Sequence, residues 1–547
     1  MRKRSEGKIM QRSAASTGKE KKTNSRKTKN GIERPGILME VPADASRELS
    51  RLERGFKYVT DMSIGLIGCK FVLKSKTEIK EDLFKLFVET YWNFAPLLRM
   101  NIIEAPSKLD HHFYFKEMKE IPFDQILKWR KLGDHENLQE QVEREICIPF
   151  NVDREPLWRV IVFDLKHEIN NNEEYPFKKG VVLVVNHTIC DGVALIQLYK
   201  QIPQILNFYL RSNAESAACA TSSLSTLSSN PIPRTERVPV AVEDVVPNIH
   251  FPLWFELLGT IGSKILARTK VIPPFNHEFF EKFQPPIWQN PRIEPAPKIL
   301  TFKLDTETTT KLIRTTKQQK CTFTGTLIAA MSIACAKQMQ NGKIWKGSTF
   351  RVAIPVDLRR YFLDHRYDNC IANYTSLSPL WLKCSVRPLK KKESEHSFFW
   401  SMARQTSREI HRLVRGSETI KAINVVAPFM DNPSFASDML KKTATHSSGG
   451  RIALFSMSNL GIINGPKEID SAGYQLDDIA FGANEVLGGS IFSNNVATYD
   501  GCLMWNMVHA VHVVSDETAA HVFQGLRETL NLFSRMASSV ELSSSEH

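Results

Sequence analysis

The run Gly180-Val181-Val182-Leu183-Val184-Val185-Asn186-His187 constrains this chain more than any other part of it. Residues 181–185 are all apolar and mostly β-branched, so they cannot alternate between core and water. They predict a strand buried on both faces, inside a sheet. The run stops at a polar pair, Asn186-His187, and helical text follows from Gly192 to Tyr209, with Pro203 expected to kink or end that helix midway. A histidine at the end of an interior strand is held rigidly and still faces a cleft. With an ordinary pKa of about 6.5, its imidazole can accept a proton at neutral pH.

The rest of the chain extends this pattern. Strand-like text occurs at 64–73, 112–115, 157–163, 299–304, 350–356, 452–457 and 508–514. Helical spacing occurs at 79–94, at 327–339 behind a Thr322/Thr324 cap, and at 517–534. Alternating strands and helices in both halves predict α/β layering. A length of 547 residues exceeds one ordinary core. The expected divisions are a basic tail at 1–35, a first lobe at 36–210, a linker or crossover at 211–297, a second lobe at 298–540 and a frayed end at 541–547. The Ser-rich stretch 211–235 marks the boundary between halves.

Charge is concentrated at one end. Residues 1–35 hold 12 Lys/Arg against three Glu, a net of +9 out of +13 for the chain, so the remainder is near neutral. The tail reads as a solvated extension, with nuclear targeting, RNA contact or attraction to an anionic membrane surface as alternatives; without aromatic residues among the charges, nucleic acid is the weaker of these. The apolar stretch 251–266 is too short to span a bilayer; it predicts either a core helix or a peripheral membrane contact. The nine cysteines are scattered, with no CxxC pair, which argues for a reducing compartment and against a zinc site. No secretory leader is read at the N-terminus, so the expected location is cytoplasmic, with the endoplasmic reticulum or lipid droplets as surfaces a peripheral contact would reach.

Asp191 lies four residues after His187, across a turn that Gly192 is expected to permit. It could orient the imidazole or sit in a buried ion pair that fixes the loop. Other candidates fare worse. His111-His112 has no acidic neighbour at a useful spacing and is expected on the surface. His509 and His512, three apart in one expected strand, would face opposite ways and could not share a metal. Cys190 lacks a base geometry, and no phosphate-binding glycine loop is present.

The segment Val184–Gly192 resembles the HxxxDG signature of the chloramphenicol-acetyltransferase-like superfamily. Three further stretches, Arg351–Arg359, Ile371–Ser376 and Phe455–Gly461, are most similar to its fungal alcohol O-acetyltransferases and N-acetyltransferases. The stretch Asn495–Leu503 resembles the family's late strand pair. Asn186 stands where condensation domains carry a first histidine, and the DFGWG element of plant BAHD enzymes is absent. The resemblance implies two similar α/β lobes, each a mixed sheet with helices, with a tunnel between them. It implies His187 as general base and Asp191 paired with an arginine, Arg359 first and Arg360 second. Asn373, Ser458 and Asn459 would line the tunnel and donate to an oxyanion. The implied reaction is acyl transfer, with acetyl-CoA or another acyl-CoA as co-substrate, no metal and no bound cofactor. The acceptor would be a small or lipid-like alcohol or amine, and the enzyme a monomer. A long-chain ester synthase and a non-catalytic scaffold are the alternatives.

Overall fold

The computed structural model describes residues 45–61, 64–105, 112–133, 135–165, 174–218, 234–247, 278–283, 296–340, 348–376, 380–390, 393–415, 419–420, 451–463, 473–485 and 489–544. The basic tail, the apolar stretch 251–266 and His111 lie outside these residues.

The first half contributes strands β1 (Ala45–Glu48), β2 (Leu66–Ser75), β3 (Met100–Ala105), β4 (His112–Glu117), β5 (Leu127–Lys131), β6 (Trp158–Asp164) and β7 (Phe177–Asn186). Its main helices are α1 (Arg51–Asp61), α2 (Glu81–Phe94), α3 (Leu138–Glu145), α4 (Gly192–Tyr199) and α5 (Ile202–Ala218). The second half contributes β8 (Pro297–Leu304), β9 (Ser348–Ile354), β10 (Leu380–Val386), β11 (Arg451–Ile463), β12 (Tyr474–Ala483), β13 (Gly489–Tyr499) and β14 (Cys502–Ala510). Its helices are α6 (Thr306–Gln318), α7 (Phe323–Met339), α8 (Glu395–Arg415) and α9 (Asp516–Ser544).

As its composition requires, β7 is the middle strand of a five-stranded sheet ordered β12-β2-β7-β6-β5. Its alternate residues serve two cores. Val181, Leu183 and Val185 pack with Leu83, Phe87 and Tyr91 of α2, whereas Val182 and Val184 pack with Val142 of α3 and with Ile299 and Val508 of the second half. The second sheet, ordered β10-β9-β11-β13-β14-β8, is backed by α7, α8 and α9. A small third sheet, β1-β4-β3, flanks the first. Both lobes are therefore mixed sheets layered with helices, as expected.

β12 belongs to the second half in sequence but pairs antiparallel with β2, from Tyr474 opposite Ser75 to Ala483 opposite Ile67. Pro203 falls in the first turn of α5, after a break at Lys200-Gln201, where a proline without an N–H is tolerated. α5 then carries the helix to Ala218, into the Ser-rich stretch. α9 likewise continues past Ser534 to Ser544. β14 ends at Ala510, so His512 lies in the following turn and not in a strand with His509.

Candidate active site

His187 begins the turn that leaves β7. The turn is built locally: Asn186 Oδ1 accepts the Thr188 N–H at 2.9 Å, and the Asn186 carbonyl accepts the Ile189 N–H at 3.1 Å. Asp191 closes it as the N-cap of α4, its Oδ1 accepting the Ala194 N–H at 2.8 Å.

The other oxygen of Asp191 looks away from the histidine. Oδ2 accepts from Arg359 Nη1 at 2.7 Å and from the Tyr374 N–H at 2.8 Å, both in the second half. Asp191 is 0% exposed. Arg359 also donates to Asp357 at 3.1 Å and to the carbonyls of Ala372 and Cys370 at 3.0 and 3.3 Å. Burial works against the charge of Arg359, but the Asp191 carboxylate, then Asp357, raise its pKa on balance. Arg360 is exposed and donates to the Asp357 carbonyl, so the spare candidate is not used.

The imidazole of His187 is held by both halves of the chain. Phe56, from α1, stacks on it with ring centroids 4.5 Å apart and planes inclined by 21°. Asn373 approaches from the second half: its Nδ2 donates to the His187 carbonyl at 2.5 Å and lies 3.1 Å from Nδ1. The amide is turned that way because its Oδ1 accepts the Thr375 N–H at 3.0 Å. Asn373 thus fastens the histidine to the second half. Burial lowers the His187 pKa, partly offset by the bond to its own carbonyl, the charge of Asp191 and the backbone of Cys190. The residue as a whole is half-buried, with its ring packed against Phe56.

The remaining candidates separate by strand parity. Ser458 lies on β11 opposite Asn495 of β13 and is half-exposed. Asn459, its neighbour, turns the other way: Nδ2 donates to Thr324 Oγ1 at the start of α7, and Oδ1 accepts the Gly461 N–H. It braces a turn and does not join Ser458. Gly192 has an ordinary negative-side backbone, so the turn does not need its freedom. What it provides is room: a Cβ there would lie 2.4 Å from Leu460 Cδ2, the end of a side chain that would have to turn aside. The thiol of Cys190 is buried, and burial pushes its pKa well up, so it is no nucleophile. His112 does have an acidic partner, Glu48 Oε1 at 2.8 Å, brought near by the β1–β4 pairing. Among the described residues no cluster of His, Cys, Asp or Glu could hold a metal.

Phe56 was not singled out from sequence. Its helix carries a local signal, the reciprocal cap in which Ser50 Oγ accepts the Glu53 N–H and Glu53 Oε2 accepts the Ser50 N–H. That signal locates the helix but not the tertiary contact.

Comparisons with known proteins bear on the fold and the family. The structure resembles a trichothecene 15-O-acetyltransferase from Fusarium sporotrichioides, with 12% identity and a TM-score of 0.59 over 89% of this chain and 94% of that one. It also resembles the epimerization domain of the third module of tyrocidine synthetase B, with 13% identity and a TM-score of 0.54 over 91% and 99% of the two chains. Polyketide synthase associated protein 5 from Mycobacterium tuberculosis is similar at 12% identity and a TM-score of 0.53, over 90% and 99%. At such identities the likeness is one of fold. No curated protein matches the sequence. The alcohol acetyltransferase family model matches residues 109–536, which include the HxxxDG turn, Arg359, Asn373 and both sheets' central strands. The chain therefore belongs to the alcohol acetyltransferase family and is an acyltransferase.

Proposed function

We propose that this enzyme transfers an acetyl group from acetyl-CoA to the hydroxyl or amino group of an acceptor, with His187 as general base. With Nδ1 turned toward Asn373 and the histidine's own carbonyl, Nε2 is the nitrogen offered to substrate. Nε2 takes the proton as the acceptor oxygen or nitrogen bonds to the thioester carbonyl carbon. The tetrahedral adduct collapses, the C–S bond breaks, and the imidazolium returns the proton to the departing thiolate. No covalent enzyme intermediate is needed, because a thiolate leaves readily. A pKa held low by burial keeps the imidazole neutral and ready at physiological pH.

Asp191 acts at a distance in this reading. Its carboxylate is engaged with Arg359, Tyr374 and the start of α4, so it fixes the turn and leaves the ring to Phe56 and Asn373. The single observation that carries the proposal is a half-buried histidine at the HxxxDG turn clasped by residues from both halves. The test is thiol release from acetyl-CoA across a panel of alcohols and amines. Acceptor-dependent release is expected, and His187→Ala should lower turnover by roughly 10²–10⁴-fold with an unchanged circular dichroism spectrum. Release unaffected by that substitution would overturn the assignment.

A further inference from the structure

The second sheet carries a polar row that the reaction as written above does not use. Ser458 on β11 stands opposite Asn495 on β13, which stands opposite Asn506 on β14. Directly opposed residues share a face, so the three side chains emerge side by side, about 5 Å from strand to strand. That face looks toward the first half. Two residues along each strand, Leu460 meets the Gly192 position, Ala497 joins the core of the first half, and Val508 packs with Val182 and Val184. The adjacent residues Met457, Val496 and Trp505 pack beneath the helices instead.

Two of these amides are orphans. The Nδ2 atoms of Asn495 and Asn506 are buried and have no hydrogen-bond partner among the described residues. Asn494, one position away on the opposite face, is satisfied by Trp505 Nε1 and the Ser456 carbonyl. A buried amide without a partner is unfavourable, and a sequence that keeps two abreast retains them for something that binds. The row also has a direction. Ser458 and Asn495 are half-exposed, whereas Asn506 is 1% exposed, so the row runs from the strand nearest the HxxxDG turn toward a fully buried amide.

We propose that Ser458, Asn495 and Asn506 bind oxygen atoms of the acceptor, and that the acceptor is an oxygenated alcohol or amine with hydrogen-bonding oxygens about 5 Å apart, not a plain hydrocarbon alcohol. This rests on the reading of His187 as base, since it places the acceptor beside it.

Two primary alcohols of equal carbon count, 1-decanol and triethylene glycol monobutyl ether, serve as probes with acetyl-CoA. The Asn495→Leu and Asn506→Leu variants should each shift the kcat/KM ratio about 10-fold or more toward 1-decanol, leaving the KM for acetyl-CoA unchanged. A ratio that stays put, or a rise confined to the KM for acetyl-CoA, would overturn the proposal. Thermal melting of ligand-free protein gives an answer that does not depend on activity. Asn506→Leu should melt higher than the parent, because it removes an unpaired buried amide; a lower melting temperature sinks the inference. If the parent releases no thiol with any acceptor, the transferase reading fails, and the melting comparison still decides whether the amide is an orphan.

Discussion

Asp191 shows how one carboxylate can be catalytically necessary without touching a substrate. Its two oxygens hold a helix cap, a guanidinium and a backbone N–H at once. An amide in its place would still cap α4 but would leave Arg359 with a weaker partner, Asp357 at 3.1 Å. Asp191→Asn should therefore lose both rate and stability, with the loss on breaking such a buried pair on the order of 3–5 kcal/mol. Thermal melting checks it; unchanged melting with impaired rate would assign Asp191 to the chemistry instead. The histidine makes a pH prediction. Its folded pKa is depressed, chiefly by burial, so the neutral base persists to lower pH than in an ordinary histidine. The acid limb of kcat/KM is expected to have its midpoint below about 6.5. Replacing Asn373, 1% exposed and aimed at Nδ1, by Asp would place a carboxylate there and move that limb upward.

At the scale of elements, Gly192 is a spacing device between α4 and the end of β11. Gly192→Ala should cost about 1 kcal/mol or less, because the half-exposed Leu460 can turn aside, and Leu460→Ala should remove that cost in the double variant. Melting of the four proteins tests the coupling. Much of this level was legible in the chain. Five adjacent apolar residues left β7 no option except an interior position, and the polar pair after it marked where the strand meets the site. The Asp191–Arg359 pairing came from resemblance, and the distances agree. What could not be read was which side of a strand faces the partner lobe. Ser458 and Asn459 are adjacent in sequence yet face opposite layers, and only the pairing of β11 with its neighbours separates them. Phe56 was hidden for the same reason, since helical spacing reports which side is apolar and not what it covers.

At the scale of the molecule, β12 binds the two halves into one folding unit, because a strand from the second completes the sheet of the first. Calorimetry on the whole chain should show one cooperative transition and not two. The turn after β14 adds a pH dependence to that transition. His512 titrates at about 4 when folded, lowered by burial and by Arg451. Its free-chain value is about 6.5, so the stability it contributes is complete above that pH and is lost as pH falls toward 4. His512→Gln should flatten the decline of melting temperature over that interval.

The register of β12 against β2 has one more consequence, for traffic. Swinging the halves apart like a hinged shell would tear a ladder that runs from Tyr474 to Ala483 and pull Arg359 from Asp191. Substrates are therefore expected to reach His187 without the two halves separating.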